Sequence, residues 1–172
     1  MRKAVLAIGI GLCLACCGDV PRPAVPPLPP RLDTLQLVKS DCDSRANKLL
    51  YRMHGRLTGT RSSCIGYYDG PPRRNVLYLS AFKNNRGAAE ALHIMAAKMA
   101  TSAAGFSPPA AVPADSAQIY RTQGGGLTHF FYRSGNLVIW WQAEPRRAQP
   151  TIRALQARFR PARAGAGPSE AR

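Results

Sequence analysis

The sequence predicts an α+β fold, with about two helices packed on an antiparallel sheet of about five strands that ends in a three-stranded meander. Three observations predict it. Residues 118–143 form three short apolar and aromatic runs separated by Gly124-Gly125-Gly126 and Ser134-Gly135-Asn136, both turn sequences. Residues 86–103 carry apolar side chains at helical spacing. The chain has 172 residues, 45% hydrophobic and 19% charged. That bounds it to one compact domain with extensions, too short for a barrel enzyme or a two-domain dehydrogenase and too apolar to be disordered throughout.

The chain begins with Arg2 and Lys3, followed by an uncharged apolar run from Ala4 to Leu14. About eleven residues at ~1.5 Å each reach ~16 Å as a helix, roughly half a bilayer core, so the run reads as a signal-peptide core and not as a transmembrane span. Leu14-Ala15-Cys16-Cys17-Gly18-Asp19 follows. This segment resembles the lipobox of bacterial lipoproteins, a resemblance confined to about the first twenty residues. It implies cleavage after residues 1–16 and acylation of Cys17 by palmitate-type chains, with Cys16 as the alternative. Cys17 leaves Cys42 and Cys64 as an even pair, whereas Cys16 leaves an odd thiol. In the family, an aspartate directly after the acylated cysteine retains the protein in the inner membrane. Here Asp19 is one place later, so the resemblance implies the outer membrane, on the periplasmic side.

Residues 17–34 then read as the lipidated cysteine and a tether. Pro21, Pro23, Pro26, Pro27, Pro29 and Pro30 remove donors and fix φ, which excludes helix and sheet and favours extended polyproline II. About fifteen such residues reach ~45 Å. Pro23-Ala24-Val25-Pro26 has the spacing of a proline-rich ligand, but a spacer is the plainer reading.

Residues 35–143 read as the single domain. Ser40 as a cap, Asp41 and Asp43 near the first turn, and Cys42, Ala46, Leu49, Leu50 and Met53 on one face predict a first helix ending at Gly55. Strands follow at Ile65–Tyr68 and Asn75–Lys83, joined by a turn over Asp69–Arg74. Both faces of the second are largely apolar, as in a central strand. The second helix buries Ala88, Leu92, Met95 and Met99, with Ala91 and Ala96 at the margins. A Pro/Ala loop over Ser107–Asp115 leads to strands at Gln118–Gln123, Leu127–Arg133 and Leu137–Ala143. Residues 144–172 read as a basic, largely disordered tail, with one short amphipathic helix through Ile152, Leu155 and Phe159.

Cys42 and Cys64 predict a structural disulfide in an oxidising compartment, closing a loop of about 20 residues for ~3 kcal/mol of stabilisation. Asp41 and Asp43 beside Cys42 oppose a reactive thiolate. His54, His93 and His129 have no metal-ligand spacing, so no metal or other cofactor is expected. His129, mid-strand among aromatics, reads as a satisfied buried histidine. With nine acidic residues in all, no Gly-x-Ser-x-Gly and a triple glycine that joins two strands, catalytic motifs are missing, and a non-enzyme is expected. The residual catalytic arrangement is Cys64, His129 and Asp69.

Two surfaces are candidates for binding. Phe130, Tyr132, Trp140 and Trp141 sit on adjoining hairpin strands; an uncovered sheet face would offer part of this set to a partner, whereas a sheet covered on both faces, which the consecutive apolar residues equally fit, would bury it. Arg146, Arg147, Arg153, Arg158 and Arg160 form a basic C-terminal segment. Without Arg2 and Lys3, 22 basic residues face nine acidic ones, a net charge of +13. A lipid-anchored periplasmic location excludes nucleic acid and leaves anionic lipids or polymers of the envelope. The sequence therefore predicts a membrane-anchored periplasmic lipoprotein acting as a non-catalytic binding or accessory module, docking to another envelope protein. The alternatives are an electrostatic binder of anionic envelope polymers or lipids, and a small hydrolase or thiol redox enzyme.

Overall fold

Residues 75–82 and 137–143 are apolar at nearly every position, so a sheet centred on them has two faces to bury. The computed structural model describes residues 24–54, 59–69, 75–101, 105–112 and 118–160. Its elements are β1 (Arg31–Leu32), β2 (Leu35–Cys42), α1 (Asp43–His54), β3 (Thr60–Tyr68), β4 (Asn75–Phe82), α2 (Asn85–Ala100), β5 (Ala110–Val112), β6 (Ile119–Gly124), β7 (Leu127–Ser134), β8 (Leu137–Ala143) and α3 (Pro145–Arg158). The strands make one antiparallel sheet in the order β1-β2-β3-β4-β8-β7-β6-β5.

The expectation of about five strands and two helices is therefore corrected to eight strands and three helices. Strands β3, β4, β6, β7 and β8 fall where the alternation places them, and α2 buries Ala88, Ala91, Leu92, Met95 and Met99. Asn84 caps α2, its side chain accepting the Gly87 N–H at 2.9 Å. The additional strands are two very short ones, β1 and β5, and one full strand, β2. Residues from Ser40 onward, expected to open the first helix, instead finish β2, with Cys42 directly opposite Cys64. The helix starts at Asp43, which takes a positive φ of 53° at the strand-to-helix corner, a conformation aspartate tolerates better than most side chains. Ala46 and Leu50 carry the packing of α1 on Ile65 and Val76, and Met53, expected on that face, is exposed.

The second correction concerns the two faces. One face presents Leu77, Leu79, Ile119, Phe130, Tyr132, Ile139 and Trp141 to α3, which contributes Ala148, Ile152, Leu155 and, just past its end, Phe159. The other presents Phe82, Phe131, Val138 and Trp140 to α2, and Ile65 and Val76 to α1. Helices thus cover both faces. The folded unit extends beyond residues 35–143 at both ends. Residues 144–160 belong to it through α3, and Val25, Leu28 and Leu32 of the expected tether pack against the same core. The lipobox, the turn at 70–74, Gly55 and residues 161–172 lie outside the described residues.

Trp141 joins the pieces of the α3 face. Its indole N–H donates to Thr151 Oγ1 at 2.8 Å, and the Thr151 hydroxyl donates in turn to the Arg147 carbonyl one helical turn earlier. The Tyr68 ring meets the indole edge-on at 5.8 Å, and its hydroxyl donates to the Pro29 carbonyl at 2.8 Å. Burial pushes the Tyr68 phenol up, with the nearby Arg158 guanidinium opposing, so it stays a neutral donor. Helix, sheet and the proline segment are thereby held through two neighbouring rings. Thr151→Val preserves shape but leaves the buried indole N–H without an acceptor, which costs about 1–3 kcal/mol. A urea denaturation series should show the midpoint lowered with an unchanged m-value, and an unchanged midpoint would refute the role given to this bond.

Candidate functional site

The four aromatics expected to form a partner surface are all interior. Phe130, Tyr132 and Trp141 lie under α3, and Trp140 lies under α2. Alternation along β7 and β8 sends them to opposite faces as expected, but each face has its own helix. The hydroxyl of Tyr132 is buried with no hydrogen-bond partner among the described residues, and burial raises its pKa. An aromatic docking patch is therefore excluded at these positions.

Cys42 and Cys64 form the expected disulfide, across the β2–β3 pair and directly before α1. Asp41, the residue before Cys42, points to the opposite face of the sheet. It is buried, with Arg45 Nε at 3.1 Å and Lys39 Nζ at 3.6 Å. Asp69 accepts the Gln36 N–H at 2.9 Å at the end of β3. His129 stands on β7, three strands from β3 and so at least about 14 Å from Cys64 at the usual strand spacing, and it faces the other side of the sheet. Cys64, His129 and Asp69 are not brought together, and Cys64 carries no free thiol.

His129 is the most constrained polar side chain of the α2 face. Trp140 Nε1–H can only donate, and it lies 3.1 Å from His129 Nδ1, so Nδ1 is the acceptor and the ring proton sits on Nε2. Nε2 faces the Gly124 carbonyl at 3.3 Å. Phe106 covers the ring edge-on at 5.0 Å between centroids. That cover depends on Gly124, because a Cβ there would sit 2.4 Å from the Phe106 ring. The triple glycine therefore does two jobs. Gly125 and Gly126 take positive φ in the turn, and Gly124 admits Phe106. Desolvation lowers the His129 pKa, with the Gly124 carbonyl opposing. Both nitrogens are engaged inside the fold, which gives the imidazole a structural role and leaves it no substrate to deprotonate. His93 is exposed on α2, and the side chain of His54 lies outside the described residues.

One depression opens on this face, between α1 and α2, lined by Leu50, Tyr78, Ser80, Phe82, Met95 and Trp140 among others. It encloses about 20 Å³, room for one or two waters and far below the few hundred Å³ of a ligand pocket. Burial pushes the Tyr78 phenol up to about 12, so it is neutral there. Among the described residues, no group of three or more His, Cys, Asp or Glu side chains is placed to hold a metal ion.

The arginines remain at the surface. Arg146, Arg147, Arg153, Arg158 and Arg160 are all exposed, on or just past α3. They belong to a packed helix and not to a free tail. Arg147 donates to Thr34 Oγ1, and Arg158 Nη2 lies 3.4 Å from the Pro27 carbonyl. Asp41 forms ion pairs with Lys39 and Arg45, away from α3.

The lowered His129 pKa fixes the sign of a pH effect. The unfolded chain takes up this proton more readily than the folded one, so the histidine's contribution is fully present above about pH 6.5 and is lost progressively as pH falls below it. Thermal unfolding followed from pH 7.5 to 5 should show a fall in stability that His129→Gln, which can accept from Trp140 and donate to Gly124, reduces. An identical pH dependence in the variant would contradict the assignment. Against known proteins, no family model, no curated sequence and no solved structure matches this chain.

Proposed function

We propose that the chain is an exported lipoprotein, held to the envelope by acyl chains on Cys17, whose folded domain serves as a non-catalytic binding or accessory module. The single observation that carries this reading is the Cys42–Cys64 disulfide. Disulfides persist in oxidising compartments and are rare in the cytosol, which agrees with a leader resembling that of bacterial lipoproteins. The arrangement of the domain supports the rest. Phe130, Phe131, Tyr132, Trp140 and Trp141 are spent on the core, and buried His129 is locked between a tryptophan and a carbonyl. The exposed arginines of α3 are the chemically distinctive surface.

The reading changes the geometry of anchoring. Residues from Ala24 onward lie on the domain, so the span between anchor and domain shrinks from about fifteen residues to the seven Cα–Cα steps from Cys17 to Ala24. At most ~3.6 Å each, these reach about 25 Å.

Intact mass of the membrane-extracted protein, measured without reduction and again with alkylation after reduction, tests the proposal. The expected result is a chain beginning at Cys17 with acyl chains attached and two thiols that alkylate only after reduction. An unacylated chain with two freely reactive thiols would overturn both the location and the structural role of the cysteines, and would reopen the enzyme alternative.

A further inference from the structure

We infer that the outward face of α3 is a docking surface for anionic lipid headgroups, which lays the domain against the membrane that anchors it. The inference deepens the lipoprotein reading and rests on it for the position of the membrane. Three independent features of the structure carry it.

The first is charge. α3 contains four arginines and no acidic residue. Ala148, Thr151, Ile152 and Leu155 face the sheet. Arg146 and Arg153, seven residues apart, fall on the opposite face about 10.5 Å from each other, and Arg160, two residues past the end of the helix, is also exposed. Arg31 of β1, the strand beside α3, is also exposed. Among the described residues three carboxylates border this surface: Asp33 in the β1–β2 turn beside Thr34, Asp69, which accepts from Gln36 opposite Arg31, and Glu144 at the start of α3. They leave it strongly positive against the six arginines. The other helices mix signs. α1 holds Asp43 with Arg45, Lys48 and Arg52, and α2 holds Glu90 with Arg86 and Lys98.

The second is position. The proline segment reaches the domain along α3 and not at the far face. Pro27 lies against Arg158, and Val25 and Leu28 pack into the core that α3 closes. A bilayer within about 25 Å of Ala24 is therefore within reach of the C-terminal half of α3 and the residues just past it, where Arg153, Arg158 and Arg160 lie.

The third is rigidity. Arg147 and Arg158 are fastened to the segment itself, through Thr34 and Pro27, which ties the helix to residues 27–34. The outward arginines are then presented as a set, with their ordering already achieved before contact. Basic residues at an anionic membrane contribute about 1 kcal/mol each. Acyl chains hold the protein on the membrane, and the arginines set which side of it faces down. Because Arg147 and Arg158 are already engaged, the outward set is Arg146, Arg153 and Arg160.

The test uses the chain from residue 17 to Arg172, carrying Cys17→Ser so that it cannot be acylated, with its disulfide intact. Cosedimentation is measured with mixed phosphatidylethanolamine–phosphatidylglycerol vesicles and with phosphatidylcholine vesicles. The expected result is binding to the anionic vesicles only, weakening with salt. The triple variant Arg146→Ala, Arg153→Ala, Arg160→Ala should lose roughly a hundredfold in affinity, from about 1 kcal/mol per residue. A second triple variant, Lys48→Ala, Arg52→Ala, Lys98→Ala, removes the same charge from the other face and should bind within a few-fold of the parent. Circular dichroism checks that both variants fold, and the exposed positions make loss of fold an unexpected outcome. Equal losses in the two variants would reduce the effect to net charge and overturn the inference, as would equal binding to the neutral vesicles. If duplex DNA at matched phosphate concentration strips the parent from vesicles, the surface is a general polyanion site and the lipid assignment fails. Failure of the lipoprotein reading appears separately, in the mass of the extracted protein, since the vesicle measurement involves no acyl chain.

Discussion

A tryptophan in the middle of a sheet must be dry along its rings and hydrogen-bonded at its nitrogen, and one residue in this fold answers both needs. Trp141 occupies β8, between β4 and β7, where neighbouring strands leave no water for its indole N–H. The acceptor is a threonine hydroxyl on α3, itself bonded back to the helix backbone. That fixes the helix along its own axis as well as above the sheet, because Thr151 has to stand over residue 141. The rings beside it extend the constraint to the N-terminal segment through Tyr68 and Pro29. A buried polar group that is left unpaired costs more than a paired one contributes. The indole therefore selects against any arrangement in which α3 or the proline segment is displaced.

The two faces are built by different means. Under α3 the packing is large rings and branched side chains with a threonine inside the helix. Under α2 it is alanine and methionine against rings, so the helix lies close to the sheet. His129 belongs to this second face and replaces an aliphatic side chain with a ring that both accepts and donates. The outer edge of β2 carries a register shift between Leu37 and Lys39, and a lysine and a buried carboxylate stand along it. These features discourage edge-to-edge pairing. Most large apolar side chains thus go into the interior on both sides, with Val38, Tyr51, Met53 and Ile94 left at the surface.

What was legible in the sequence was what repeats locally. The meander announced itself by alternation and glycine turns, and α2 by its stripe of Ala88, Leu92, Met95 and Met99. The disulfide followed from counting cysteines. The misreadings share a cause, which is partners distant in sequence. Residues 35–42 carry Leu35 and Leu37 at strand spacing, but Ser40, Asp41 and Asp43 also imitate a helix cap, and the pairing of Cys42 with Cys64 decides between them. The segment 144–160 is rich in arginine and contains Pro150, so composition spoke for a tail. Its burial depends on a groove formed by β7 and β8 that no local window contains. The proline segment was readable as neither helix nor long strand, but the core that Val25 and Leu28 pack against was not. Partner-surface aromatics were misplaced for the same reason, since their exposure depends on whether α3 packs.

The packing of residues 24–32 against α3 also has a consequence for the order of events during synthesis. A ribosome delivers the proline segment first and Phe159 last, separated by nearly the whole domain. At about 5–20 residues per second the interval is on the order of ten seconds. Through that interval Leu28, Leu32 and Tyr68 have no helix to cover them, and the α3 side of the sheet stays open. Such distant closure makes for slow folding. Nascent chains of this protein thus expose a broad apolar surface until the C-terminus is free, a window in which a holding chaperone has something to hold.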